Sequence, residues 1–177
     1  MINKITLIFC LLIVSTFSFA QKNIKASSIM KEIKAGNLIS YQNATIVGAL
    51  DLTFMEEAIG KTPKKNSWFN WSSGKSTNEI KKIIDVKISF INCIFKDDVL
   101  AYIPDEDSGY TFTASFENEA IFKNCTFERK AMFKYSRFKK DSDFSDSSFN
   151  DDSTFKYAKF DKNISFSNTK FNKVATF

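Results

Sequence analysis

The chain has 177 residues, 20 of them phenylalanine and none histidine, and 25 Lys and Arg against 20 Asp and Glu give a formal charge of +5. So small a surplus falls short of a nucleic-acid binder's basic profile, which argues against a nucleic-acid partner. A chain without imidazole also lacks the commonest base for a Ser or Cys nucleophile and the imidazole-rich metal sites.

Met1 to Ala20 carries one lysine, Lys4, an apolar run from Ile5 to Val14, and Ser18-Phe19-Ala20 ahead of Gln21. That is the layout of a secretory signal peptide (residues 1–20) cleaved after Ala20. The apolar run is shorter than the roughly 20 residues of a spanning helix. The expectation is an exported protein, periplasmic or cell-surface/extracellular, with no membrane span after cleavage. Removing the leader leaves 157 residues at +4, one domain's worth of chain.

Residues 21–37 read as a capping helix, with Ala26, Ile29, Met30 and Ile33 on one face, Ser27 or Ser28 as cap and Gly36 as terminator. A short amphipathic helix here predicts a lid that blocks edge pairing of the strands after it. Residues 38–54 read as the first strands of the repeat region: Leu38 to Tyr41, a turn at Gln42-Asn43-Ala44, Thr45 to Val47, and Leu50-Asp51-Leu52. Residues 55–86 break the pattern with Gly60, Pro63, Gly74 and several serines, as an irregular loop insertion. Within it Glu79 to Ile84 reads as a helical turn, and Trp68, Phe69 and Trp71 are candidate ligand residues. Loop aromatics stack on sugars or enter a membrane interface; they also fold back on their own scaffold. Gly60-Lys61-Thr62 and Gly74-Lys75-Ser76 end like phosphate loops, but Met55 and Phe69 stand where the first glycine belongs.

Residues 87–177 carry the repeat. It starts at Phe90 and Phe95, is interrupted by an excursion across 96–115 around Pro104 to Gly109, and then runs without a slip. Phenylalanine falls at Phe116, Phe122, Phe127, Phe133, Phe138, Phe144, Phe149, Phe155, Phe160, Phe166, Phe171 and Phe177, so the gaps alternate six and five. Two residues before each stands a small side chain, such as Ala120, Cys125, Ser147 or Ala158, with Ile164 the exception. A helix of about 100° per residue would spread these rings over two separate stripes. The two-residue spacing is the strand period instead, so the small residue and the Phe share one face and point inward. Four sides of five, six, five and six residues make a coil of 22, and Phe stacks on Phe in the next coil. All fourteen of these rings, Phe90 to Phe177, are therefore expected in the core.

Segments such as Cys125-Thr126-Phe127 and Ala158-Lys159-Phe160 resemble the pentapeptide-repeat family, whose unit is small, polar, central Leu or Phe, and two variable residues. The resemblance implies an all-β fold, a right-handed quadrilateral parallel β-helix. This chain departs in using Phe throughout and in adding a residue to every second unit. Ile46-Val47-Gly48-Ala49-Leu50-Asp51-Leu52 resembles the lead-in segment ahead of the repeats in many family members. Family members commonly dimerise through their C-terminal coils, so the resemblance also implies a homodimer formed there.

Cys93 and Cys125 each stand two before a Phe and are 32 apart, one coil plus an excursion of about ten, which predicts that they stack in adjacent coils. A disulfide in an oxidising compartment and a pair of buried thiols acting as small hydrophobes are the two readings. Wall charges are segregated: Lys123, Arg129, Lys130, Lys134, Arg137, Lys139 and Lys140 are followed by Asp141, Asp143, Asp146, Asp151 and Asp152. They are either neighbouring layers that attract one another or a docking surface, with Arg129, Lys130 and Arg137 as its candidate contacts. The acidic run Asp105-Glu106-Asp107 reads as a charged loop tip. No catalytic, metal or cofactor residue is assigned.

The expected function is a non-enzymatic exported scaffold whose wall meets a protein or a cell-envelope glycan. The alternative is a carbohydrate-binding or carbohydrate-cleaving β-helix. The best-known family activity, DNA mimicry that inhibits type II topoisomerases and confers quinolone resistance, is implied by resemblance alone. Mimicry requires a strongly negative surface, and this chain is positive and bears an export pattern.

Overall fold

In the computed structural model, which describes residues 22–60 and 78–177, the chain winds into a right-handed parallel β-helix with four walls. In chain order, wall 1 stacks Ile39–Gln42, Ile88–Ile91, Ala120–Lys123, Ser142–Asp143 and Ile164–Ser165. Wall 2 stacks Lys22–Lys25, Ala44–Val47, Ile94–Phe95, Thr126–Phe127, Ser148–Phe149 and Lys170–Phe171. Wall 3 stacks Leu50–Asp51, Val99–Leu100, Ala131–Met132, Ser153–Thr154 and Ala175–Thr176. Wall 4 stacks Glu79–Ile84, Tyr110–Phe116, Arg137–Phe138 and Lys159–Phe160.

Registers such as Phe127 with Phe149 and Phe149 with Phe171 step 22 residues per coil. The alternation of five and six resides in the corners. Between walls 1 and 2, and diagonally between walls 3 and 4, the chain makes four-residue turns with a left-handed third residue. At one, Ser136 N–H donates to Phe133 C=O at 3.1 Å across Tyr135, whose φ is 59°. The other two corners take the sixth residue. The extra residue thus widens alternate corners and leaves the wall register untouched.

Rings 22 residues apart lie face to face: Phe116 on Phe138 at 4.7 Å, Phe122 on Phe144 at 5.1 Å, Phe133 on Phe155 at 5.1 Å. Phe90, Phe95, Phe116, Phe122, Phe127, Phe133, Phe138, Phe144, Phe149 and Phe155 are buried. Phe160, Phe166 and Phe171 are half-buried, and Phe177, expected in the core, is 63% exposed. It stacks on Phe155 at 5.6 Å. Phe112, outside the regular spacing, is also buried. In one coil the volumes trade: buried Ile88 and Val99 stand in the columns of Ala120 and Ala131, and Ala101 stands in the column of Phe133. Close packing tolerates such volume-conserving exchange.

Three local expectations are corrected. The helix α1 spans Ala26–Lys34 and packs buried Ala26, Ile29 and Ile33 onto the first coil, but it has Lys25 at its N-cap and no side-chain cap from either serine. Residues 22–25, placed in the cap by their sequence, form a strand in register with 44–47, bringing Ile24 beside Ile46. An open strand edge offers four main-chain partners there, which outweighs helical periodicity. Gly36 does end the helix, in a left-handed conformation at φ 77°. Second, Glu79–Ile84 is a strand, not a helical turn, paired along its whole length with Thr111–Phe116. Met55–Ile59, in the same expected loop, is a short helix, α2. Third, the excursion across 96–115 begins only after Val99–Leu100 has continued wall 3; it is a hairpin of Tyr102–Asp105 with Tyr110–Thr113.

Cys93 and Cys125 occupy the same column in adjacent coils, since Ile94 pairs with Thr126. Both thiols are free and buried. Cys125 Sγ donates to the Phe90 carbonyl at 3.4 Å, and the Cys93 sulfur together with burial pushes the Cys125 thiol well above the ordinary cysteine range.

Candidate functional site

The basic residues singled out by their sequence do not converge. Arg137 Nε donates to both carboxylate oxygens of Asp161, one coil on, at 3.2 and 2.9 Å. Arg129 and Lys130 lie at the corner between walls 2 and 3, where they line a recess with Asp97, Asp98 and Asp151. Lys130 N–H donates to Asp98 Oδ1 at 3.1 Å. The Asp152 backbone N–H and the Lys173 ammonium hold the Asp151 carboxyl below its usual range, and the Arg129 charge adds to this. Lys139 pairs with Glu117 and Lys173 with Asp151, again between adjacent coils. Of the segregated charges, Arg137, Lys139 and Asp151 are spent on coil-to-coil attraction. Asp105 accepts from Ser108 N–H at 3.2 Å, which places the acidic run on the hairpin turn. Among the described residues no three His, Cys, Asp or Glu side chains gather as a metal site. Trp68, Phe69 and Trp71 lie outside the described residues.

The corner between walls 3 and 4 differs from the rest. Both departures from the repeat occur there: the chain leaves wall 3 after Asp51 and returns on wall 4 at Glu79, and one coil later it leaves after Leu100 and returns at Tyr110. Tyr102–Asp105, Tyr110–Phe116 and Glu79–Ile84 form a three-stranded flange projecting from this corner. In the next two coils the corner carries Tyr135 and Tyr157.

These tyrosines form an exposed ladder. Tyr102 and Tyr135 have ring centroids 5.9 Å apart, and Tyr135 and Tyr157 stack at 5.2 Å with planes 15° apart. Tyr135 is 42% and Tyr157 57% exposed. Lys134 Nζ lies 5.1 Å from the Tyr102 centroid and 5.0 Å from that of Tyr135, and Lys156 Nζ lies 5.1 Å from Tyr157, all within cation–π range. Among the described residues neither lysine is ion-paired. Against the ladder, at the foot of the flange, opens a recess of about 300 Å³ lined by Asn78, Glu79, Thr111 and Tyr135. Its polar groups are held in place: Glu79 Oε1 accepts from Thr113 Oγ1 at 2.7 Å, and Asn78 Nδ2 donates to Gly109 O at 3.2 Å.

Sequence reasoning passed over these residues. The signal was present, because Tyr135 and Tyr157 are 22 apart and each follows its Phe by two, the place held by Asp146 and Asn168 in alternate units.

Comparison with known proteins adds one match. A family described as pentapeptide repeats (nine copies) matches residues 113–157 and 133–177. No curated protein and no solved structure matches the chain.

Proposed function

Since residues 113–177 belong to the pentapeptide-repeat family, we propose that this protein is an exported, non-enzymatic scaffold whose solenoid presents its surface to a protein or a cell-envelope polymer. The observation that carries the reading is the contrast between a largely Phe-packed coil and the one corner where both interruptions of the winding among the described residues are gathered. A solenoid is quasi-one-dimensional, so an insertion at one corner leaves the stacking of the others undisturbed. Export is supported by the residue pattern of Met1 to Ala20. Cell fractionation with N-terminal sequencing tests it. A mature protein beginning at Gln21 in an envelope or secreted fraction supports the reading, and one that keeps Met1 in the cytosol overturns it.

Self-association is a second proposal. In the last described coil Phe166 and Phe171 are half-buried and Phe177 is exposed. Exposed apolar rings favour pairing with a second copy, as the family resemblance also implies. Light scattering on the purified chain should give twice the monomer mass; a monomer of ordinary solubility would refute it.

A further inference from the structure

We propose that the ladder of Tyr102, Tyr135 and Tyr157, with Lys134, Lys156 and the adjoining recess, is a binding strip for an acidic glycan chain lying along the solenoid axis. The inference rests on the scaffold reading above and names its ligand class and surface.

The first argument comes from the backbone. Tyr135 and Tyr157 sit at φ 59° and 60°, left-handed values that suit Asn and Asp and strain a bulky side chain. The diagonal corner obeys the backbone preference at every coil, with Asn43, Asn92, Asn124, Asp146 and Asn168 in the same conformation. There the side chains bond to one another, Asn124 Nδ2 to Asn92 Oδ1 at 2.6 Å and Asn168 Nδ2 to Asp146 Oδ1 at 3.0 Å. Asparagine would therefore serve the turn at positions 135 and 157 as well. In the first coil the counterpart of Tyr135 is Phe54, left-handed as well at φ 53° but buried in the core, so its strain is repaid by packing; Tyr135 and Tyr157 carry the same strain half in water, which points to a use outside the fold.

The second argument is chemical. Sugars offer hydroxyls to polar groups and C–H groups to apolar surface, and this corner has both: Tyr135 and Tyr157, whose faces cover one another and carry Lys134 and Lys156, leave their ring rims exposed beside the Asn78, Glu79 and Thr111 side chains. The charge selects an acidic sugar. The one carboxylate lining the recess, Glu79, is itself paired with Lys81 at 3.2 Å, and Arg137, Lys139 and Lys173 are likewise paired with carboxylates, whereas Lys134 and Lys156 are held over rings with their charge unneutralised. Two successive coils carry the tyrosine and lysine pair about 4.8 Å apart, a step close to the length of one unit in an extended glycan, so a polymer can engage both rungs at once.

The test is calorimetric titration of the purified protein with polygalacturonate oligomers and with neutral cello-oligosaccharides of matched length. The acidic oligomer should bind about tenfold more tightly, with a preference that shrinks as salt rises. The double variant Tyr135→Asn/Tyr157→Asn should lose about tenfold or more in affinity. Its melting temperature, held or raised because Asn suits the turn, shows that the loss is not unfolding. The variant Lys134→Gln/Lys156→Gln should lose the acidic preference and keep the neutral binding. Tyrosine variants that bind like the parent, or a parent that binds neither oligomer, would overturn the strip. A parent that binds neither oligomer and is still retained by an isolated envelope fraction overturns the strip alone and leaves the scaffold standing. Recovery only from the cytosol overturns the scaffold reading, whatever the oligomers do.

Discussion

Phe127 and Phe149 lie face to face one coil apart, with ring centroids 4.4 Å apart and planes 2° from parallel. Each also sees an edge or a tilted face from a neighbouring wall, as Phe149 does from Phe155 at 5.9 Å and 87°. The interior is thus four columns of stacked rings that lock one another edge to face, geometries that suit the aromatic quadrupole.

Truncation in this array should be costly and position-dependent. Phe127→Ala is expected to lose about 3–5 kcal/mol, because the cavity is walled by rings that cannot collapse into it. Phe177→Ala should cost about 1 kcal/mol or less, as its ring is already mostly in water. Urea denaturation of the two variants checks the contrast.

The inward small residues divide into satisfied and orphaned hydroxyls. Ser147 Oγ donates to the Phe122 carbonyl at 2.6 Å and accepts from Cys125 N–H at 2.9 Å, whereas Ser153 Oγ is buried without a hydrogen-bond partner. Ser147→Ala should lose about 1–3 kcal/mol by stranding Cys125 N–H. Ser153→Ala, in a column with Ala131 and Ala175, should gain about 1 kcal/mol. Opposite signs for two similar substitutions one wall apart are the expected denaturation result.

The thiols should be silent in the native protein. Buried Cys93 and Cys125 are expected to resist iodoacetamide at pH 8 and to react fully in denaturant, with an intact mass equal to the reduced mass. Cys93 and Cys125 titrate as a pair, the contact between them lowering Cys93 to about 7 and, with burial, raising Cys125; the fold opposes the pair's second deprotonation, so that stability is present below the unfolded thiol value of about 8.5 and lost as pH rises above it. Cys125→Ala should remove that component of the alkaline slope in a denaturation series from pH 7 to 11.

Coil-to-coil ion pairs should matter little one at a time. Arg137 and Asp161 are substantially exposed, with side-chain exposures of 49% and 32%. Asp161→Asn should shift stability by about 1 kcal/mol or less, and by less again in high salt. A larger loss would mean that the pair does more than neutralise adjacent layers.

The candidate site was less legible than the core. Arg129, Lys130 and Arg137 stood out in the sequence as a basic cluster, but the coil turns them onto different faces and sets Asp98 and Asp161 beside two of them. The ladder was overlooked because tyrosine at spacing 22 reads as surface variation until the corner conformation is known. Only then does its contrast with Asn124 and Asp146 acquire meaning.

What the sequence determined by itself is everything with a local period. Small residues and phenylalanines two apart define inward faces, and an unbroken alternation of five and six defines a four-walled coil of 22, because side-chain direction follows from backbone pleat alone. The tertiary structure decided what depends on pairing between distant segments. Lys22–Lys25 became a strand because residues 44–47 offered an edge, and Glu79–Ile84 because Thr111–Phe116 lay in register 32 residues later. Two unrelated interruptions and two strained tyrosines met at one corner for the same reason: a solenoid converts equal remainders along the chain into neighbours in space, across separations that no local pattern records.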